Sequence, residues 1–146
     1  MMTTRMDNTG IVVADLDAVI AFFTELGLIL DGRSEVTSQW AGQVTGLGEQ
    51  RVEIAMMRTA DGHGRLELSR FIDPPVAADH RRAPVNALGY LRVMFAVDDL
   101  AGLLPRLCAM GAELVSDDII TYADAYRLCY IRGPEGILIG LAEEIG

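Results

Sequence analysis

Two segments of this chain, residues 16–26 and 100–110, space their apolar side chains identically. Leu16, Val19, Ile20, Phe23 and Leu26 fall on one face of a helix, and Leu100, Leu103, Leu104, Leu107 and Met110 take the same offsets. Each segment follows an apolar run with strand character and an Asp suited to cap a helix, Asp15 or Asp99. Each ends at a Gly suited to stop one, Gly27 or Gly111, which are 84 residues apart like the two aspartates. A second echo aligns Met56-Met57-Arg58-Thr59-Ala60-Asp61-Gly62 with Tyr130-Ile131-Arg132-Gly133-Pro134-Glu135-Gly136 at an offset of 74. A repeat this long exceeds a solenoid unit and reads as a tandem duplication of a half-domain.

The pattern predicts a first strand over 7–14, a helix over 16–26 and a second strand over 28–38. The glycine-rich stretch 40–48 reads as a loop with at most one helical turn. Strands over 51–58 and 65–71 flank a hairpin turn at Asp61-Gly62-His63-Gly64. Residues 73–87 hold Pro74, Pro75 and Pro84 and form the linker between copies. Strands over 90–97, 112–120, 126–132 and 137–141 then repeat the first half, with a helix after the first of them. Pro105 falls inside that helix and removes one donor from it. The architecture is βαβββ twice, an α+β class, in one domain spanning 1–146. Its first module covers about 6–72, its linker 73–88 and its second module 89–146.

Composition narrows the function classes. A net charge of −9 and a pI near 4.5 oppose binding to nucleic acid and to anionic membranes. No apolar run has the length of a membrane span, and residues 1–6 lack the apolar core of a signal peptide. Cys108 and Cys129 lack metal-type spacing and read as free, packed thiols of a cytoplasmic protein.

A duplicated βαβββ unit of this length resembles the vicinal oxygen chelate superfamily, which includes glyoxalase I, methylmalonyl-CoA epimerase, extradiol dioxygenases and bleomycin-resistance proteins. The strand-Asp-Leu-helix opening of each copy carries the resemblance, as does the closing hairpin from Tyr130 to Gly136. The resemblance implies sheets curled into an open cup, and in the metal enzymes four side chains that meet inside it. Carried over by position, the first-strand ligands fall on Asn8 and Arg92, and the last-strand ligands on Glu67 and Gly140. Only Glu67 keeps the family's residue type. Arg has no lone pair to offer and Gly no side chain, so the metal set is degenerate and no cofactor is expected. The resemblance also implies a homodimer, and it would bring Glu67 and Arg92 together as an ion pair.

Other residues rebuild no site. His63 lies in a turn and His80 in the linker, Asp98 and Asp99 read as a strand end and a helix cap, and the direction of Glu53 depends on strand register. Trp40 is a stacking wall for a flat ligand or a packed strand end. Met56, Met57 and Met94 line a pocket or the core, with at least one of Met56 and Met57 in the core. Strand alternation is expected to keep Tyr122, Tyr126 and Tyr130 from all sharing one face.

The expected function is binding of a small, uncharged or aromatic organic molecule by Asn8, Trp40, Glu67, Arg92, Met94 and Gly140. The alternative is a metal-independent isomerase or lyase with Glu67 as the proton carrier and Arg92 as the oxyanion holder. A third reading is a metal-dependent enzyme of the family with shifted ligands.

Overall fold

The computed structural model describes residues 2–146 and divides the chain into two compact units, the first ending at Ala78 and the second beginning at Asp79. The division falls inside the proline-rich linker.

In the first unit the elements are β1 (Thr9–Val12), α1 (Leu16–Leu26), β2 (Ile29–Val36), α2 (Gln39–Thr45), β3 (Arg51–Arg58) and β4 (Arg65–Asp73). The strands form one sheet in the order β1-β4-β3-β2, with β1 parallel to β4 and the other pairs antiparallel. In the second unit they are β5 (Val93–Ala96), α3 (Leu100–Ala109), β6 (Glu113–Leu114), β7 (Ile120–Tyr122), β8 (Tyr126–Arg132) and β9 (Leu138–Glu144). Their order is β5-β9-β8-β6, with β5 parallel to β9 and β7 on β8 beyond that path. The class is α+β.

The helices α1 and α3 each bury their stripe against the sheet of their own unit. Leu16, Val19, Phe22, Phe23 and Leu26 of α1 are buried with Ala55, Met57, Leu66 and Leu68 of β3 and β4. Leu100, Leu103, Leu104 and Leu107 of α3 are buried with Cys129, Ile131, Ile139 and Leu141 of β8 and β9. Burial of each large side chain contributes about 1.5–3 kcal/mol, which makes these two faces the cores of the units. Phe22 takes the place expected for Ile20, which is half-buried. The larger ring sits edge-on to Phe23, centroids 5.8 Å apart, and removes more apolar area from water. Met110 lies past the last turn of α3 and is exposed.

The duplication is written into the backbone hydrogen bonds. Asp15 Oδ1 accepts from Ala18 N at 3.1 Å, and Asp99 Oδ1 from Gly102 N at 3.0 Å. Gly27 and Gly111 turn the chain out of the helices at φ of 115° and 99°, a region costly to any residue with a Cβ. Beyond them Leu28 N donates to Phe23 O and Ala112 N to Leu107 O, again 84 residues apart. In the sheets Gly10 stands opposite Glu67 as Met94 stands opposite Gly140. Met56 flanks Glu67 as Tyr130 flanks Gly140. These pairings place Glu67 and Gly140 at the same point of the two copies, as the sequence alignment has them.

The copies differ in three places. Residues 39–45 form the helix α2 and not a loop. Gly42 is there for close approach, since a Cβ on it would lie 1.5 Å from Gly48 O, and Thr45 Oγ1 donates to Gln50 at 2.7 Å to hold the returning chain. The strand expected over 112–120 is broken into β6 and β7. Ser116 Oγ donates to Asp118 O and the Asp118 carboxylate accepts from Ile119 N, so a side-chain-bonded turn replaces the ladder. The third difference is a charge exchange. Glu53 opposes Arg70 across β3 and β4, and at the same register Arg127 opposes Glu143 across β8 and β9. Glu53 therefore lies on the α1 side of its sheet, shared with Ala55 and Leu68. It pairs with Arg33 at 3.1 Å and Arg70 at 3.4 Å, and Arg33 reaches Asp17 in the first turn of α1. In the second unit Glu143 does this work directly, accepting from Leu100 N at 2.7 Å.

Arg132 fastens the segment ahead of β5. Its guanidinium donates to Ala83 O at 2.5 Å and Gly136 O at 3.2 Å and lies 5.6 Å from the Tyr90 ring centre. Tyr90 donates to Gly136 O at 3.0 Å. Half of the predicted linker is thus structure of the second unit.

Candidate functional site

Each sheet has one face under its helix and one open face. Directly opposed residues share a face, so register assigns the candidate residues. In the first unit Glu67 and Met56 stand together on the open face, both half-buried, while Met57 is 1 % exposed in the core. Asn8, just before β1, is half-buried and donates to the Asp7 carboxylate at 3.3 Å. Trp40 sits on α2 with 61 % of its surface exposed, so it is not a packed strand end.

In the second unit Gly140 lies between Met94 of β5 and Tyr130 of β8. A Cβ on Gly140 would stand 3.0 Å from Met94 Cγ and 3.3 Å from both Cβ and Cε. The side chain of Met94 thus fills the space a residue at position 140 would use. Arg92, just before β5, is exposed and stacks its guanidinium over the Tyr130 ring, 4.9 Å from the centroid. Such a contact contributes about 0.5–1 kcal/mol at an exposed site and fixes the plane of the donors.

These residues do not fit a divalent ion. A metal site of catalytic type needs about three protein ligands, and here one position presents a cation and the other a backbone overlaid by a thioether arm. Among the described residues no group of three or more His, Cys, Asp or Glu is placed to hold a metal. His63 and His80 are exposed in the turn and linker where the sequence puts them. Cys108 and Cys129 are free, but only Cys129 is packed; Cys108 is exposed on α3, contrary to expectation. Burial pushes the Cys129 thiol up to about 11, with Cys108 adding to the effect. Cys129 is a core residue and not a nucleophile.

The register overturns one expectation and supplies residues that the sequence reading missed. Tyr126, Leu128 and Tyr130 alternate onto the same face of β8, and Tyr122 and Ile120 of β7 stand opposite Tyr126 and Leu128. All three tyrosines therefore share the open face, together with Met94 and Gly140. An even separation of Tyr126 and Tyr130 was visible in the sequence, but the pairing of Tyr122 needed the position of the hairpin. That hairpin turns through Ala123 and Asp124 at φ of 53° and 52°. No described helix is long and apolar enough to cross a membrane.

Comparison with known proteins agrees with this geometry. Residues 7–130 match the family model described as Glyoxalase/Bleomycin resistance protein/Dioxygenase superfamily. The chain is 63 % identical to a glyoxalase family protein of Bacillus cereus whose crystal structure it matches with a TM-score of 0.97, over 100 % of this chain and 97 % of that one. It is 30 % identical over 137 residues to the protein YwbC of Bacillus subtilis (strain 168), covering 92 % of this chain and 94 % of YwbC. The fold is shared with the fosfomycin resistance protein FosX of Listeria monocytogenes, solved with Mn(II) and sulfate. Its TM-score is 0.61 at 13 % identity, over 99 % of this chain and 95 % of that one. The chain belongs to the glyoxalase/bleomycin resistance protein/dioxygenase superfamily.

Proposed function

We propose that this chain binds a small organic molecule, uncharged or aromatic, without a metal ion. Its residues for this are Asn8, Trp40 and Glu67 in the first unit and Arg92, Met94 and Gly140 in the second. The observation that carries the reading is the replacement at Gly140. There a thioether and a stacked guanidinium stand where the family's metal enzymes present ligands. An apolar, polarizable side chain on an open face suits contact with a flat ligand better than coordination. The protein works in the reducing cytoplasm, where Cys108 and Cys129 stay thiols.

The test is a panel of small aromatic and aliphatic compounds, scored for melting shift and for turnover on the same samples. Melting shifts without turnover are expected. Turnover abolished by Glu67→Gln and by Arg92→Met would assign the same residues to a metal-independent isomerase or lyase, and a panel that shifts nothing would refute binding.

The chain is also proposed to form a homodimer. Seven of the eight residues of the edge strand β2 are exposed, and an unpaired edge invites a second copy. Sedimentation equilibrium at micromolar concentration should return twice the chain mass of 15.8 kDa, and a monomer mass would contradict it.

A further inference from the structure

The open face of the second sheet is polarised along β8. At one end Tyr126 stands opposite Glu144, and at the other Tyr130 stands opposite Gly140 with the Arg92 guanidinium on its ring. Between them run Leu128 and, on β7, Ile120 and Tyr122. Ile120 is 53 %, Tyr122 64 % and Tyr126 43 % exposed, a contiguous patch of aromatic and aliphatic surface rather than scattered residues.

Two guanidiniums lie at the Tyr130 end, and they are not equivalent. Arg132 is committed to Ala83 O and Gly136 O. Among the described residues of this unit none pairs a carboxylate with Arg92, whose partner is the Tyr130 ring. Stacking occupies the face of a guanidinium and leaves its in-plane N–H donors free for a two-pronged acceptor. The remaining carboxylates assigned to this face are Glu113, opposite Arg132, and Glu144, opposite Tyr126. Glu113 stands with the two guanidiniums at the Arg132 end. Glu144 stands at the Tyr126 end and disfavours an anion there, so the charge pattern favours the acid group at Arg92.

We infer that this face takes an elongated aromatic carboxylate, its acid group held by Arg92 and its rings laid along Tyr130, Leu128 and Tyr126. The inference rests on the small-molecule reading above and narrows it to aromatic ligands with one acidic end. Tyr126 and Tyr130 are four residues apart on one strand, about 14 Å at strand rise, a span that two conjugated rings and a carboxylate bridge. Met94 fills the floor beside Gly140, so the rings meet a flat, polarizable surface.

The probes are trans-stilbene-4-carboxylate, trans-stilbene-4-carboxamide and benzoate, titrated calorimetrically into the full chain. The stilbene acid should bind about tenfold tighter than its amide, the difference being the charge-assisted pair with Arg92. Arg92→Met should erase the tenfold preference for the acid over the amide. Tyr126→Ala and the bulk-preserving Tyr126→Leu should weaken both stilbenes and leave benzoate unchanged. Both altered side chains, Arg92 and Tyr126, are exposed, and circular dichroism checks that each variant is folded. Equal affinity for acid and amide, or stilbene binding indifferent to both Arg92 and Tyr126, overturns the inference while the broader binding reading stands. Failure of every probe overturns the inference, and only the compound panel then decides the broader reading.

Discussion

Gly136→Ala is expected to destabilise the protein by about 3–5 kcal/mol, whereas Gly62→Ala at the same point of the first copy should cost only about 1–2 kcal/mol. Both glycines close the hairpin ahead of the last strand of a unit, at φ of 74° and 78°. Both donate back three residues, Gly136 N to Gly133 O and Gly62 N to Thr59 O. The left-handed backbone alone penalises an alanine equally at each. The difference lies in what a Cβ would meet. At Gly62 there is nothing within 4 Å, but at Gly136 it would overlap Arg81 O at 2.0 Å and Arg81 C and Cα at 2.7 Å. That neighbour is backbone, so relief requires the segment from Arg81 to Tyr90 to lift away from the hairpin. Lifting it breaks the bonds of Arg132 to Ala83 O and of Tyr90 to Gly136 O. Chemical denaturation of the two variants side by side measures the difference, and equal losses would show that the segment does not pack as described.

The second large effect is expected at Glu143. Its carboxylate is buried, accepts from Leu100 N at 2.7 Å and lies 3.7 Å from Arg127. Glu143→Ala removes the acceptor and strands a backbone donor at the first turn of α3, at a cost of about 2–4 kcal/mol. Glu143→Gln keeps an acceptor oxygen and should cost about 1 kcal/mol, because Arg127 is half exposed and its attraction is screened. The charge exchange between the copies sharpens the test. Arg127→Glu combined with Glu143→Arg reproduces the polarity of Glu53 and Arg70. It should restore the cross-strand pair but not the bond to Leu100 N, and so remain about 2–3 kcal/mol less stable than the parent chain. Full recovery would mean that the ion pair, and not the cap, carries the stability.

What the sequence made legible follows from which interactions are local. Helix ends were readable because Asp15, Asp99, Gly27 and Gly111 each act within one turn, and the structure shows the same aspartate caps and left-handed glycines in both copies. The equivalence of Glu67 and Gly140, 73 residues apart, was readable from the family resemblance, the second hairpin being one residue shorter than the first. The helix α2 was not. Its glycines signal a loop, yet Gly42 is placed for the approach of Gly48, a contact that no local propensity encodes. The break between β6 and β7 escaped for the converse reason, since the apolar pattern runs through Val115, Ile119 and Ile120 while Ser116 and Asp118 bond the backbone between them. The candidate site was half legible. Residue types at Asn8, Glu67, Arg92 and Gly140 spoke against a metal, but the filling of the Gly140 position by Met94 and the stacking of Arg92 on Tyr130 are cross-strand facts. The shared face of Tyr122, Tyr126 and Tyr130 depends on a hairpin register that sequence does not specify.

The proposed absence of a metal from this family member is tested most directly by metal stoichiometry. Protein purified without an affinity tag and equilibrated with Mn(II) or Zn(II) would be passed through a desalting column and its metal content measured by mass spectrometry. The account predicts no stoichiometric ion for the parent chain, and none for Arg92→Met, which removes the opposing charge but supplies no ligand. About one ion per chain, retained through the column by the parent protein, would contradict it.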